Sequence, residues 1–210
     1  MSTYLPLFPL NLVAFPSEKL NLHIFEPRYR QLIQECIAEQ KTFGIPVFIR
    51  ENVQDLGTEM RVVELVKKYA DGRMDIRTEG LRVFRINTFY NPAPGKLYAA
   101  GKVEFFETDA HSDWLTKKKA IELIDQLYAI LGLENTLEYE KDPFSFQVAH
   151  KIGLSLEQEY QLLAMLDESQ RIEFLIEHLE KSIPIIKEVE RTKQLIRMNG
   201  HFKNLNPLNF

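Results

Sequence analysis

The side chains best suited to recognising a ligand lie together in one short run of the sequence, FEPRYR. Arginine offers a rigid fork of donors for carboxylates and backbone carbonyls, and aromatic rings add apolar contact surface. The run therefore predicts a corner that contacts a polypeptide or a small ligand. The candidate binding residues are Phe25, Glu26, Arg28, Tyr29 and Arg30.

A purely structural role for the same run is the alternative. Pro27 is expected at the first position of a helix, and Glu26 beside that N-terminus complements the helix dipole. Arg28 would then pair with a carboxylate of a neighbouring strand, for which Glu79 is the candidate, and fix the helix against the sheet. Under this interpretation Arg28→Ala unfolds the domain. A folded variant that loses partner binding would instead support the binding role.

The sequence carries no pattern typical of a catalytic or metal site. The single cysteine, Cys36, falls on the apolar face of the helix expected after Pro27, which indicates a buried, unreactive thiol. No GxSxG, HExxH or CxxC motif is present, and no two histidines lie one helical turn apart. The scattered histidines are His23, His111, His150, His178 and His201. We therefore predict no catalytic residue, no metal and no cofactor.

The composition is that of an ordinary globular chain, with 210 residues, 45% hydrophobic and 27% charged, and a net charge of −4. No cationic excess favours nucleic acid or an anionic membrane. No apolar run approaches the roughly 20 residues that a bilayer-spanning helix needs. The N-terminus lacks the basic segment and apolar core of a secretory signal. We therefore predict a cytoplasmic chain with no membrane partner.

Periodicity and turn residues predict the elements that would position the FEPRYR run. Apolar and polar side chains alternate over 20–24, as in a half-buried strand, and 27–40 switches to helical spacing. Further strands are predicted at 43–49, 59–69, 74–79, 81–89 and 97–107, with a tight Asp71-Gly72 hairpin. Short connections favour an antiparallel meander closed into a small barrel. The first predicted domain, residues 1–110, is therefore an antiparallel β-barrel with one embedded helix.

The second half of the chain has a helical pattern. Apolar residues recur at helical spacing over 114–131 and again over 172–183. Pro184 should kink the second of these helices or start a final one. We predict an α-helical bundle over 111–199 and a flexible, Asn-rich tail over 200–210. The predicted fold class is therefore α+β, with the barrel first and the bundle after it.

Several motifs occur in the same order as in one known family. The opening LPLFPL, the Phe15-Pro16 pair and LNLHIFEPRYR at 20–30 come first. They are followed by Gly57-Thr58, the Asp71-Gly72 turn, TEGLRV at 78–83 and a helical stretch from Leu156 to Leu179. In this order they resemble the N-terminal domain of Lon proteases, particularly its stand-alone bacterial versions. The resemblance covers residues 3–181.

The resemblance implies a PUA-like β-barrel followed by a helical bundle, and a role in binding unfolded or extended polypeptide. Full-length Lon proteases continue into an ATPase module and a Ser-Lys peptidase. This chain has no GxxxxGK[ST] loop and no peptidase context for its Ser-Lys combinations, so the resemblance implies a non-catalytic module. The expected role is substrate recognition or that of an adaptor in protein quality control, with a protease or chaperone as a further partner. The oligomeric state is left open.

Polypeptide binding of this kind would use an exposed apolar or amphipathic groove between barrel and bundle, with pairing along a strand edge as a further mode. Binding of RNA or a small ligand through the barrel is the alternative, since other PUA-like barrels bind RNA. Six basic residues lie on the central hairpins: Lys67, Lys68, Arg73, Arg77, Arg82 and Arg85. Acidic residues interleave with them, and residues 1–110 contain 14 basic and 14 acidic side chains. We therefore expect a neutral, solvated face and no nucleic-acid partner.

Overall fold

The computed structural model describes residues 3–140 and 143–202, and the side chains of these residues as far as position 197. The strands are β1 (Thr3–Leu7), β2 (Lys19–Ile24), β3 (Phe43–Ile49), β4 (Asn52–Lys68), β5 (Met74–Tyr90) and β6 (Ala99–Phe106). The helices are α1 (Pro27–Glu39), α2 (Trp114–Leu131), α3 (Phe144–Val148), α4 (Leu156–Ala164) and α5 (Glu168–Phe202), with one 3-10 turn at Ala149–Lys151. The predicted tail, 200–210, lies outside the described residues from position 203 onward.

The six strands form one sheet that closes on itself. Their order is β2-β5-β4-β3-β1-β6, and β6 also pairs with β5, so β5, β4, β3, β1 and β6 complete a ring. Every pairing between these strands is antiparallel except the short parallel contact between β1 and β3. The closed sheet followed by helices confirms the predicted α+β class.

Two strands are much longer than the sequence predicts. β4 begins at Asn52, in a segment with the residues of a turn, and β5 runs without a break through Gly80. This glycine permits close packing rather than a turn, because a Cβ atom there would lie 2.1 Å from the carbonyl oxygen of Phe15. The two strands extend beyond the ring, and with β2 they form a three-stranded arm. The arm comprises β2, residues 61–68 of β4 and residues 74–79 of β5.

Helix α1 packs one face against the arm and the adjoining barrel strands. Leu32 and Ile33 are fully buried there, and Cys36 is 3% exposed. Burial, together with the carboxylates of Glu35 and Glu39, raises the pKa of the Cys36 thiol to about 12. The thiol therefore stays protonated at neutral pH, where it is a poor nucleophile.

The last helix differs from its predicted form at Pro184. The final helix predicted after this proline is part of α5, which continues through it from Glu168 to Phe202. Leu179 and Ile183 are 0% and 5% exposed, so the turn before the proline is held against the bundle by packing. The loss of one backbone N–H donor is not enough to end a helix that is anchored in this way.

A buried polar network ties the start of α5 to the rest of the bundle. The Arg171 guanidinium contacts the Glu168 carboxylate at 2.7 Å, and neither side chain is exposed to solvent. Ser145 donates to that carboxylate through its hydroxyl at 2.6 Å and its backbone N–H at 2.9 Å. Arg171 also donates to the carbonyl oxygens of Met165 and Asp109. The network therefore joins α3, α5 and the segment that follows the barrel.

The barrel and the bundle share one hydrophobic core. The largest buried cluster combines barrel residues, including Val13, Phe15 and Val83, with side chains from all four helices after the barrel. Phe15 stacks on Phe146 of α3 with ring centroids 4.9 Å apart. Because apolar burial supplies most of the stabilising free energy of folding, each part depends on the other for its stability.

Candidate functional site

The predicted corner lies where β2 ends and α1 begins, and its ion pair is local. Arg28 donates through Nε to Glu26 at 2.9 Å, so the predicted pair between Arg28 and Glu79 is wrong. Glu79 instead accepts from Arg61 at 2.6 Å, because these two residues are direct cross-strand partners in the β4–β5 register. The Arg28 and Glu26 side chains are 47% and 38% exposed, and ion pairs at the surface typically contribute about 0–1 kcal/mol.

Two of the candidate residues anchor the corner to the rest of the protein. Tyr29 is 7% exposed and stacks on Phe8 with ring centroids 3.8 Å apart, and burial raises the pKa of its hydroxyl. Arg30 donates to the carbonyl oxygen of Asp71 in the β4–β5 turn. That turn places Gly72 at a φ of +85°, which glycine adopts without strain. The start of α1 is therefore fixed against the tip of the arm.

Phe25 is the candidate residue with the most exposed apolar surface, at 60%. Its ring stacks on that of His23, with centroids 6.1 Å apart. The Tyr69 ring is edge-on to the His23 ring, with centroids 6.0 Å apart. Asp75 accepts from His23 at 2.6 Å and from the Tyr69 hydroxyl at 2.8 Å, and these hydrogen bonds lower the pKa of its carboxyl. We call Phe25, His23 and Tyr69 the aromatic row.

The two outer strands of the arm, β2 and β4, pair only with β5 there among the described strands, so each has an unpaired edge. Residues 61–68 of β4 pair with β5 on one side, and no described strand pairs with their other side. Val63, Leu65 and Val66 on this segment are 60%, 41% and 47% exposed. Register shifts after Val62 and after Leu65 break the alternation that would bury every second residue. We call residues 61–68 the free edge; it presents unpaired backbone donors and acceptors next to apolar side chains.

The six basic residues of the central hairpins are largely neutralised. Four arginines form ion pairs: Arg73 with Asp71 at 2.7 Å, Arg77 with Glu64 at 2.6 Å, Arg82 with Glu59 at 2.7 Å and Arg85 with Asp55 at 3.6 Å. Lys67 lies over the Tyr69 ring at 4.5 Å, and only Lys68 of the six has no such contact among the described residues. A phosphate backbone would therefore meet few uncommitted cations here.

The predicted cleft between barrel and bundle is present, but most of its lining side chains are polar or charged. It has a volume of about 620 Å³. Its lining residues are Pro16, Ser17, Glu18, Lys19, Phe146, Gln147, His150 and Lys151. Its aromatic floor is closed, since Phe146 is 4% exposed and stacks on the fully buried Phe15. The cleft therefore offers less apolar contact to an extended segment than the free edge does.

His150 joins the two walls of this cleft. Its ring contacts Glu159 of α4 at 2.7 Å and Glu18 of the barrel at 3.3 Å. Burial alone would lower the pKa of His150, but the hydrogen bonds and charges of Glu159 and Glu18 outweigh it and raise the pKa to about 10. His150 is therefore a cation at neutral pH.

We expect this cation to make the stability of the protein depend on pH. The pKa of His150 is raised from 6.5 to about 10 on folding, so its contribution is fully present below pH 6.5 and lost as pH rises towards 10. The stability advantage of the wild type over His150→Gln, measured by urea unfolding, should shrink as pH increases across this window. A difference that is constant with pH would contradict the ionic role of His150.

Two further observations bear on the kind of site. Among the described residues, no three side chains of His, Cys, Asp or Glu are grouped so that they could hold a metal ion. Within the same part of the chain, no helix combines the length and apolar character needed to cross a membrane. The free edge and the aromatic row are the exposed apolar features of the arm.

This fold is similar to that of two solved Lon N-terminal domain structures. The Lon N-terminal domain protein from Xanthomonas campestris is 27% identical over 83% of this chain and 97% of its own, with a TM-score of 0.64. The N-terminal domain of the Mycobacterium avium complex Lon protease shares this fold, with a TM-score of 0.62 at 17% identity, over 85% of this chain and 98% of its own. A comparison with curated proteins finds no match.

The family model for the substrate-binding domain of ATP-dependent protease La (LON) matches residues 4–181. The chain therefore belongs to the Lon substrate-binding domain family, as its motifs predict. The matched domain is described as the substrate-binding domain of that protease. This membership favours binding of polypeptide as the general activity.

Proposed function

We propose that this protein is a non-catalytic module that binds extended polypeptide segments along the free edge, with the aromatic row on the same arm as a further contact. The observation that carries the proposal is the free edge itself, an unpaired strand with three exposed aliphatic side chains in a substrate-binding family. The finer role is that of a cytoplasmic adaptor in protein quality control, which hands segments to a protease or chaperone.

Edge pairing explains how one surface could accept many sequences. Backbone N–H and C=O groups of an incoming segment are the same for every residue except proline, so hydrogen bonding along a strand edge is largely independent of sequence. Val63, Leu65 and Val66 would add apolar contacts that favour segments exposed only in unfolded proteins. Phe25 would extend this apolar contact beyond the strand.

The candidate residues of the FEPRYR run take different parts in this proposal. Phe25 would contact a segment that continues from the free edge across the arm, and Arg28 and Glu26, with side chains 47% and 38% exposed, follow it in the sequence. Tyr29 and Arg30 would act by holding α1 against the arm. RNA binding is not proposed, because ion pairs and the Tyr69 ring engage five of the six basic residues expected to carry it.

The test is a double substitution on the free edge, Val63→Lys with Val66→Lys. Lysine blocks edge pairing in natural sheets and removes the apolar contact, so affinity for a chemically unfolded model protein should fall about tenfold or more. Fluorescence anisotropy of the labelled model protein measures the change. Leu97→Lys is the matched control, since Leu97 is also 60% exposed but lies outside the arm.

The control should bind as the wild type does. Equal losses in the control and the double variant would show that charge alone weakens binding and would count against the free edge. Undiminished binding by the double variant would place the polypeptide site elsewhere on the protein.

A further inference from the structure

A second apolar surface lies on the bundle, between the first turn of α2 and the first half of α5. Trp114 and Leu115 are 66% and 71% exposed, the highest values for large apolar side chains among the described residues. Leu115 lines a groove of about 480 Å³ whose floor includes Ile176, and Trp114 precedes Leu115 at the first position of α2. The lining residues are Leu115, Thr116, Lys119, Glu173, Ile176, Glu177 and Glu180. We call this the acidic groove.

The charges of the acidic groove are not balanced. Its lining contains three glutamates and one lysine, and the glutamates follow one stripe of α5 at positions 173, 177 and 180. Glu180 pairs with Lys119 at 2.7 Å and Glu177 with Lys181 at 2.5 Å. Within the described part of the chain Glu173 forms no ion pair, so it remains available to a cation from outside.

We infer that the acidic groove binds a basic, apolar polypeptide segment, in which leucine-like side chains alternate with lysine or arginine. Trp114, Leu115 and Ile176 would supply apolar contact, and Glu173 would receive the cation. This inference rests on the proposed function that the protein binds polypeptide, and it adds a second contact point with its own charge preference.

A second copy of the chain is a poor occupant of the same groove. Residues 111–210, which comprise the bundle and the tail, contain 12 basic and 16 acidic side chains and carry a net charge of −4. Two bundles brought together at their acidic grooves would repel each other. A basic segment from another protein would be attracted by the same negative charge.

The sequence provides a direct probe, because Trp114 is the only tryptophan in the protein. Its emission can be followed while the full chain is titrated with a leucine–lysine peptide and with a matched leucine–glutamate peptide. We expect a saturable change with the lysine peptide, weakened by added salt, and a much smaller change with the glutamate peptide.

Two charge-reversal variants localise the effect. Glu173→Lys should weaken the lysine peptide about tenfold, whereas Glu134→Lys, the same charge change at an exposed glutamate beyond the end of α2, should have little effect. If both variants weaken binding of the lysine peptide equally, net charge alone explains the effect and the inference is wrong. Concentration-dependent self-association without peptide, seen by sedimentation, would also overturn it by assigning the groove to a second copy.

The two proposals can fail separately. If Trp114 emission does not respond but the unfolded model protein still binds and Val63→Lys with Val66→Lys weakens it, the groove inference is wrong and the proposed function stands. If neither ligand binds, the proposed function is wrong as well. Loss of the Trp114 response in Leu115→Ser, with binding at the free edge retained, would support the groove as an independent site.

Discussion

Arg171→Met should destabilise the protein by about 3–5 kcal/mol, the typical cost of breaking a fully buried ion pair. Methionine has similar length but no charge, so the Glu168 carboxylate would lose its cation in a place that water does not reach. The carbonyl oxygens of Met165 and Asp109 would lose donors at the same time. Urea unfolding monitored by circular dichroism measures the change in free energy of unfolding.

Arg191→Met is the matched control for this substitution. Arg191 also lies on α5 and contacts a glutamate, Glu188 at 3.7 Å, but its side chain is 72% exposed. Its replacement should change stability by less than about 0.5 kcal/mol. If the unpaired charge is the cause, adding Glu168→Leu to Arg171→Met should recover part of the loss. A single variant as stable as the control would contradict the structural role of the network.

Phe15→Ala should cost about 3–5 kcal/mol, the usual range for deleting a buried phenylalanine side chain. The side chain is fully buried, and it is the barrel's stacking partner for Phe146 of α3. Because the core is shared, the loss should weaken barrel and bundle together. Hydrogen exchange of the barrel amides and of the bundle amides, followed through urea unfolding, should therefore report one coincident transition. Separate transitions for the two signals would mean that barrel and bundle are independent units.

Phe25→Ala provides the contrast on the proposed binding surface. Phe25 is 60% exposed, so its removal should leave stability within about 0.5 kcal/mol of the wild type. Its affinity for the unfolded model protein should nevertheless fall. If Phe25→Ala loses stability but keeps its affinity, Phe25 has a structural role and the binding role assigned to it is wrong.

Turns and helix ends follow from local sequence, because the residues that form them are close together in the chain. The Asp71-Gly72 pair supports a tight turn with positive φ at the glycine. Ser155 and Gln158 form the reciprocal capping box that their spacing predicts. The break expected at Gly80 fails for a non-local reason, since the glycine is required by the approach of the Phe15 backbone, 65 positions earlier in the chain.

The candidate surface was predictable only in part. The FEPRYR run indicates the corner and its exposed phenylalanine, but the partner of Arg28 depends on the β4–β5 register, which sequence spacing alone does not give. The free edge depends on where β3 stops pairing with β4, also a property of the whole sheet. The only local signal for it is the run Val62-Val63-Glu64-Leu65-Val66, which is too apolar for a strand with one solvated face.

The shared core also sets a geometric condition on any bound chain. The free edge is built on the barrel and the acidic groove on the bundle, and the core that joins these parts keeps the two surfaces at one separation. A polypeptide that occupies both is a bivalent ligand, and its gain in affinity depends on the linker between its two contact points. Linkers too short to span the separation gain nothing, and longer ones gain progressively less. The protein would thereby select unfolded segments by length as well as by composition.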